Sequence, residues 1–599
     1  MCGIVGYLGE DPAGPIVYKG LQNLEYRGYD SAGVALVGEE LTVQKRSGEV
    51  GALSVPEVPS AVCGIGHTRW STHGPPTDEN AHPHTGLTGE VAVVHNGIIE
   101  NYEALRESLS DRTFTSQTDT EVIPHLLEIE LENGHDLYTA LSRVVSQLEG
   151  SFAICAVHAG RNEIVATRNQ SPLVLGHAKD GVFLGSDVTA FLEHTRDVTY
   201  LEDGDIAVLR PGDVHVYRDG TEIAYPIETV EWEADAAEKG GYEHFMRKEI
   251  HEQPASLRQT LSGRIDLDRG AVELDLEFPK GYLSSVEEIQ FVACGTSYYA
   301  SLYAARLFEE IADIRATVSI ASEYTFDGGR DPWRTLTIAV TQSGETADTL
   351  GAIRRAKRAG AQTLAVTNML GSSVSREVKN SVFIRAGPEI GVAATKTFAS
   401  QVTTLALLAV YLGRERGVLS PSDARSILED LRGLPGGIQQ VLDKEASVKE
   451  AAVAYQDSDA FFFVGRRHGY PVALEGALKL KEISYDHAEG FAAGELKHGP
   501  LALVTDNTPV LAVLTDGGNI PNTVNNLVEA QTRGAPAIGA ISESHEIDSL
   551  DVGFEVPDAG LFEPLIANVY FQLFAYHVAN EKGRPIDKPR NLAKSVTVG

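Results

Sequence analysis

TLTIAVTQSGETADTLGAIRRAKRAGAQTLAVTN (335–368) and TPVLAVLTDGGNIPNTVNNLVEAQTRGAPAIGAISE (508–543) follow one plan: apolar strand, polar turn, helix, glycine, next strand. Each is a strand–helix–strand unit of the kind that builds a parallel sheet covered by helices on both faces. The preceding strands match as well, EEIQFVACGTS (287–297) recurring loosely as SDAFFFVGRRH (458–468). A repeat of this length specifies two similar αβα lobes with parallel sheets, which we place at 281–420 and 452–588.

Upstream the rhythm differs. GEVAVVHNG (89–97), GSFAICAVHA (150–159) and GDIAVLRPGDVHVY (204–217) alternate apolar and polar residues between Gly and Pro turns, as half-buried strands do. GPIVYKGLQNLEYRG (14–28) and TEVIPHLLEIELENG (120–134) carry apolar residues at helical spacing and end at glycine. Residues 1–228 therefore form a mixed, sheet-rich domain. The acidic stretch ETVEWEADAAEKGGYEHFMRKEIHEQP (228–254) opens a connection with helices over 229–280, its boundary near Gly240. The tail, 589–599, lacks the periodicity of a helix.

A chain of 599 residues, 43% of them hydrophobic, exceeds one core and fills several. With 84 acidic against 50 basic residues the formal net charge is −34, which repels a phosphate backbone and argues against nucleic-acid binding. So acidic a coat is typical of proteins kept soluble in high salt, and a halophilic source is expected. MCGIVGYLGE lacks the pattern of a signal peptide, and no later apolar run reaches a membrane span, so a soluble cytoplasmic protein without a membrane partner is expected. Cys63, Cys155 and Cys294 lie in apolar segments and read as buried, inert thiols.

Cys2 is different. Once Met1 is removed, its thiol stands beside a free α-amine, and α-amines titrate at about 7.7–8.0, so the pair forms a nucleophile with its own base. GHTRWSTHG (66–74) offers Arg69, whose planar fork suits an α-carboxylate, with Thr72 and His73 as further donors. Asn96 and the Gly97 N–H, at the end of an apolar strand, suit an oxyanion hole, and Asp119 suits an α-ammonium. Each has a plainer reading: Arg69 in a surface ion pair, Asn96–Gly97 as a hairpin turn, Asp119 as a helix N-cap, Trp70 as core packing.

In the second half, hydroxyls crowd two strand ends that lead into helices: Thr296 and Ser297, then Thr341, Gln342, Ser343 and Thr346. Free N–H groups at helix N-termini cradle phosphate without a lysine, although ordinary capping also explains such residues. Neither GxxxxGK[ST] nor a strand-following GxGxxG is present, so no nucleotide cofactor is called for; a sugar phosphate fits better, and neither cofactor nor metal is expected. Lys479 and Glu482, in ALEGALKLKEISY (473–485), share a helical face, where a surface ion pair is the plain alternative.

MCGIVGY (1–7), LEYRGYDSAG (24–33), GHTRWSTHG, NAHPH (80–84), VVHNGIIENY (93–102) and QTDTEVI (117–123) closely resemble the glutaminase domain of the N-terminal-nucleophile amidotransferases. That resemblance implies a four-layer αββα fold. It makes Cys2 the nucleophile, Arg27, Arg69, Thr72, His73, His82 and Asp119 glutamine-site residues, Asn96 and Gly97 the oxyanion hole, and Trp70 the gate of an ammonia channel. From about Tyr242 to the C-terminus the chain resembles the isomerase half of the glutamine–fructose-6-phosphate aminotransferase family, with GELKHGP (494–500) and KPRNLAKSVTV (588–598) among the matching segments.

The implied reaction takes glutamine and fructose 6-phosphate to glucosamine 6-phosphate and glutamate, the first step toward UDP-N-acetylglucosamine. In that pattern Lys594, in a tail that closes the sugar site, forms a Schiff base with the ketose. Glu482 moves a proton between C1 and C2, His498 promotes ring opening and Lys479 contacts the sugar. The family borrows its histidine from a neighbouring subunit, which implies a homodimer or higher homo-oligomer. Two departures stand out. Thr341 replaces a usual Ser and keeps the hydroxyl, whereas Ala394, in GVAATKTF (391–398), replaces a sugar-contacting Ser and forgoes a hydrogen bond worth about 0.5–1.5 kcal/mol. Amidophosphoribosyltransferases and asparagine synthetases share only the first domain, and the second half lacks both a paired-acid phosphoribosyl diphosphate loop and an SGGxDS loop. A sugar-phosphate-sensing regulator has no use for Cys2, Glu482 and Lys594 together.

Overall fold

The structure is a computed structural model describing residues 2–71, 73–230, 239–326, 330–515 and 519–596. Thr72, an expected glutamine-site residue, and positions 231–238 of the expected connection lie outside the described residues. The chain forms two compact units, Met1–Ala237 with Ala593–Gly599, and Glu238–Leu592.

The first unit is built on an eight-stranded and a seven-stranded sheet, antiparallel in their named pairings. Their strands alternate as the sequence does, because successive side chains leave opposite faces of a pleat. In Val91–Ile99, Ala92 and Val94 enter an inner core while Val91, Val93 and Ile99 face outward. Its partner Gly150–His158 sends Ala153, Cys155 and Val157 inward, and Phe152, Ile154 and Ala156 outward. Ile4, Leu8, Ala35 and Ile65 of the other sheet join the same inner core, so the two sheets pack face to face.

Helices Val122–Glu132 and Leu137–Val145 cover one outer face. Helix Ala13–Asn23 covers the other, laying Val17 and Leu21 over Gly66, where a Cβ would meet both side chains. This is the four-layer αββα arrangement. Within it, Gly3–Gly9 is an interior strand between Cys63–Arg69 and Gly181–Gly185, and its pairing of Gly3 with Thr68 brings Cys2 alongside Arg69 and Trp70.

The second unit contains two five-stranded parallel sheets. One runs Arg315–Ile320, Glu288–Ala293, Thr335–Val340, Gln362–Thr367, Asn380–Phe383; the other runs Ala488–Ala492, Phe461–Gly465, Val510–Leu514, Ala537–Ser542, Val552–Val556. Both place the second strand outside the first and then add strands in sequence order, so the internal repeat is a repeat of topology. Helices Gly295–Ala312, Lys396–Glu415, Gly469–Ser484 and Glu563–Glu581 contribute to a single large core. Phe245–His251 and Gln253–Leu261, within the segment read as a connection, give Met246, Ile250 and Leu257 to that core. Glu563–Glu581 is buried nearly throughout, as a helix apolar all round must be. No described helix is long and apolar enough to cross a membrane.

Candidate active site

In the first unit, Cys2 precedes its interior strand with the sulfur 3.2 Å from the Trp70 backbone nitrogen, which donates to it. Burial pushes the thiol's pKa up, while that N–H and the Arg69 guanidinium pull it back. The Cys2 carbonyl accepts from Asn96 Nδ2 at 3.0 Å and from Arg27 Nε at 3.3 Å, and Arg27 is anchored to Asp187 at 3.2 Å. Asp119 accepts the Ile99 N–H at 2.8 Å through one oxygen, leaving the other 4.0 Å from His73 Nδ1. His73 packs edge-on against Tyr102, and Trp70 edge-on against Tyr29.

The plainer readings do not describe these residues. Arg69 is buried and donates to the carbonyls of His73, Gly74 and Pro75, so it props the following loop rather than making a surface pair. Asn96 and Gly97 lie inside Val91–Ile99, not in a turn. Gly97 has φ 125°, and a Cβ there would run into the Ser151 carbonyl, so only glycine fits. The helix after Asp119 starts at Val122 with Glu121 as its N-cap, so Asp119 does not cap it. Trp70 is half-buried rather than sealed in a core. Cys63 and Cys155 are buried, burial pushing Cys63 up to about 12, whereas Cys294 is half-buried because it stands where its strand ends and helix Gly295–Ala312 begins.

In the second unit, Lys479 is wholly buried on helix Gly469–Ser484, so its pairing is no surface ion pair. Its ammonium lies 2.7 Å from Glu482, 3.4 Å from Glu475 and 3.2 Å from Thr296 Oγ1. Burial alone lowers an ammonium's pKa, but the Glu475 and Glu482 carboxylates outweigh it and raise that of Lys479. Glu475, which the sequence reading missed, is fully buried, donated to by Thr296 Oγ1 at 3.1 Å and pushed upward by desolvation. Its only sequence signal was the four-residue spacing to Lys479.

Thr296 and Ser297 sit in the first turn of Gly295–Ala312, and Ser297 accepts from Gln401 Nε2 at 2.9 Å. Thr341 Oγ1 accepts the Gly344 N–H at 3.2 Å and meets Thr346 Oγ1 at 3.4 Å, while Ser343 Oγ accepts the Glu345 N–H at 3.2 Å. The Gln342 carbonyl takes the Asn368 N–H at 3.1 Å. Neither N-cap residue, Cys294 nor Thr346, makes a side-chain capping bond, so capping does not account for these hydroxyls. His498 is exposed at the end of a short 3-10 turn. Lys594 is half-buried and Ser595 buried, in the part of the tail grouped with the first unit, so these two positions are held rather than dangling.

The glutamine amidotransferase domain family matches residues 67–193, and the SIS domain family matches 282–411 and 454–547. The isomerising glutamine–fructose-6-phosphate aminotransferase of Halobacterium salinarum is 60% identical over 601 aligned residues, covering 100% of both chains. The chain belongs to the glutamine–fructose-6-phosphate aminotransferase family. Relatives of that name from Symbiobacterium thermophilum and Methanosarcina acetivorans are 48% and 46% identical, again over 100% of each chain. The solved C-terminal domain of glucosamine-fructose-6-phosphate aminotransferase from Francisella tularensis is 35% identical, with a TM-score of 0.56 over 59% of this chain and 99% of its own. For an aminotransferase of this family, the Cys2 pocket and the Lys479 cluster are the two candidate centres.

Proposed function

We propose that this chain releases ammonia from glutamine at Cys2 and adds it to fructose 6-phosphate in the second unit, giving glutamate and glucosamine 6-phosphate. What supports the reading is full-length membership of the aminotransferase family combined with two clusters, Cys2 with its carbonyl bound by Asn96 and a buried Lys479 between two carboxylates.

In the first half-reaction the Cys2 α-amine, free once Met1 is removed, takes the thiol proton, and the sulfur attacks the glutamine amide carbon. The Asn96 Nδ2 and Gly97 N–H groups receive the developing oxyanion, ammonia leaves, and water releases glutamate from the thioester. Arg69 and Asp119 hold the α-carboxylate and α-ammonium, with Arg27, Thr72, His73 and His82 completing the pocket. Trp70 gates the path of ammonia through an internal channel.

In the second, Thr296, Ser297, Thr341, Gln342, Ser343 and Thr346 cradle the phosphate and His498 opens the sugar ring. Lys594 condenses with the C2 carbonyl, and ammonia displaces it from the imine. Glu482 then carries a proton from C1 to C2, leaving a C1 aldehyde and a C2 amine, while Lys479 steadies the sugar oxygens. The exposure of His498 supports its donation to a neighbouring copy in a homo-oligomer of at least two chains. The reaction is the first step of cytoplasmic amino-sugar synthesis, ahead of UDP-N-acetylglucosamine.

Borohydride reduction in the presence of fructose 6-phosphate tests the sugar half. The adduct is expected on Lys594, and Lys594→Arg is expected to abolish both trapping and glucosamine 6-phosphate formation while glutamine hydrolysis survives. An adduct mapped to another lysine overturns the assignment.

A further inference from the structure

Two backbone carbonyls set which way the Asn96 amide faces, that of Cys2 directly and that of His95 through His67. His67, on strand Cys63–Arg69, projects between the two sheets of the first unit toward Val91–Ile99. Its Nε2 lies 2.9 Å from the His95 carbonyl oxygen and 3.0 Å from Asn96 Oδ1. The carbonyl can only accept, so Nε2 must carry a hydrogen. An Asn96 NH2 turned toward that N–H would set donor against donor. The amide therefore presents its oxygen to His67 and its nitrogen to Cys2, whose carbonyl it reaches at 3.0 Å.

The ring is built for this one role. His67 is wholly buried and its Nδ1 makes no hydrogen bond among the described residues. Burial pushes the imidazole down to about 3, which keeps it neutral. It packs against His82 with ring centroids 4.2 Å apart and planes tilted by 35°, and His82 accepts the His95 N–H at Nδ1, so the strand segment carrying Asn96 is gripped from two rings.

We infer that His67 is a positioning residue for glutamine hydrolysis: its Nε2–H locks the Asn96 amide with the NH2 facing the reacting carbonyl. The inference rests on the reading of Asn96 as an oxyanion donor. Without the lock the amide can turn over and aim oxygen lone pairs at a developing negative charge. Removing an oxyanion donor outright costs about 10²–10³ in kcat, so freeing its orientation costs part of that, about 10- to 100-fold.

The test compares His67→Leu, His67→Gln and Asn96→Ala in the full chain by glutamine kinetics and by the rate of Cys2 alkylation with iodoacetamide. Alkylation displaces iodide at a methylene carbon and forms no oxyanion, so it reports the thiol alone. His67→Leu is expected to lose about 10- to 100-fold in kcat with KM and alkylation unchanged. His67→Gln, whose amide N–H can serve the same two acceptors, is expected to recover most of the loss. Parallel losses of hydrolysis and alkylation, no recovery with glutamine, or an unchanged kcat in His67→Leu each overturn the inference. If Asn96→Ala itself hydrolyses glutamine at the parent rate, the oxyanion reading has failed instead. Should the leucine variant not fold, long-range 15N NMR of the parent His67 ring decides: Nε2–H with a bare Nδ1 supports the lock, and Nδ1–H overturns it.

Discussion

The Trp70 backbone N–H donates to the Cys2 sulfur across 3.2 Å, so the residue expected to gate ammonia also steadies the thiol proposed to release it. A donor aimed at sulfur favours thiolate and opposes the burial that favours thiol. Because this arrangement lies wholly within the first unit, removing the sulfur leaves the second unit's cluster untouched.

Cys2→Ala is accordingly expected to abolish glutamine hydrolysis and glutamine-dependent synthesis while interconversion of fructose 6-phosphate and glucose 6-phosphate continues. Isomerisation assayed in the variant, with its fold confirmed by circular dichroism, checks this division. Loss of all three activities in a folded protein contradicts it.

Lys479→Met strands the buried Glu475 carboxylate and takes the partner from half-buried Glu482. Breaking a buried pair from one side costs about 3–5 kcal/mol, so a fall in stability of that order is expected, together with loss of sugar chemistry. Adding Glu475→Gln removes one stranded charge and is expected to return part of the stability without the activity. Denaturant unfolding of the single and double variants measures both, and a single variant as stable as the parent contradicts the buried pairing of Lys479 with Glu475.

Glu445 accepts from Arg247, His251 and His577 at 3.0–3.1 Å, and although burial opposes ionisation, these partners hold its carboxyl well below the ordinary range. A depressed folded-state pKa contributes stability that is fully present above the unfolded glutamate value of about 4.3 and is lost as pH falls below it. Glu445→Gln is therefore expected to be less stable than the parent at pH 7, the two unfolding curves converging as the pH drops through 4. A constant gap down to pH 3 contradicts this.

The αββα fold and the twin lobes were legible because period-two strands and a strand–helix–strand repeat leave their marks in local order. Asn96, Gly97 and Asp119 were legible as candidates, yet their competing readings fell only when Gly97 proved to lie inside a strand and the helix start proved to be at Val122. Glu475 was not legible. A carboxylate on a helix is ordinarily solvated, and only the tertiary packing of its face of Gly469–Ser484 makes this one wholly buried. The same holds for His67, whose role depends on a carbonyl from a facing sheet. Lys479 and Glu482 had the spacing of any surface pair, and the complete burial of Lys479 beside a half-buried Glu482 distinguishes them.

The net charge of −34 sets another expectation: its acidic groups repel one another until cations screen them, so folding strengthens with salt. Melting curves from low to molar potassium chloride are expected to shift upward. A flat response removes the halophilic reading and leaves the chemistry intact.

The central claim is that nitrogen from glutamine, released at Cys2, ends on C2 of the sugar without passing through bulk water. Incubation with fructose 6-phosphate and amide-15N glutamine in the presence of excess unlabelled ammonium reads this directly by mass spectrometry of the product. Glucosamine 6-phosphate carrying 15N is the predicted result. Labelled ammonia free in solution, with the amino sugar absent or bearing the bulk isotope, would contradict the account.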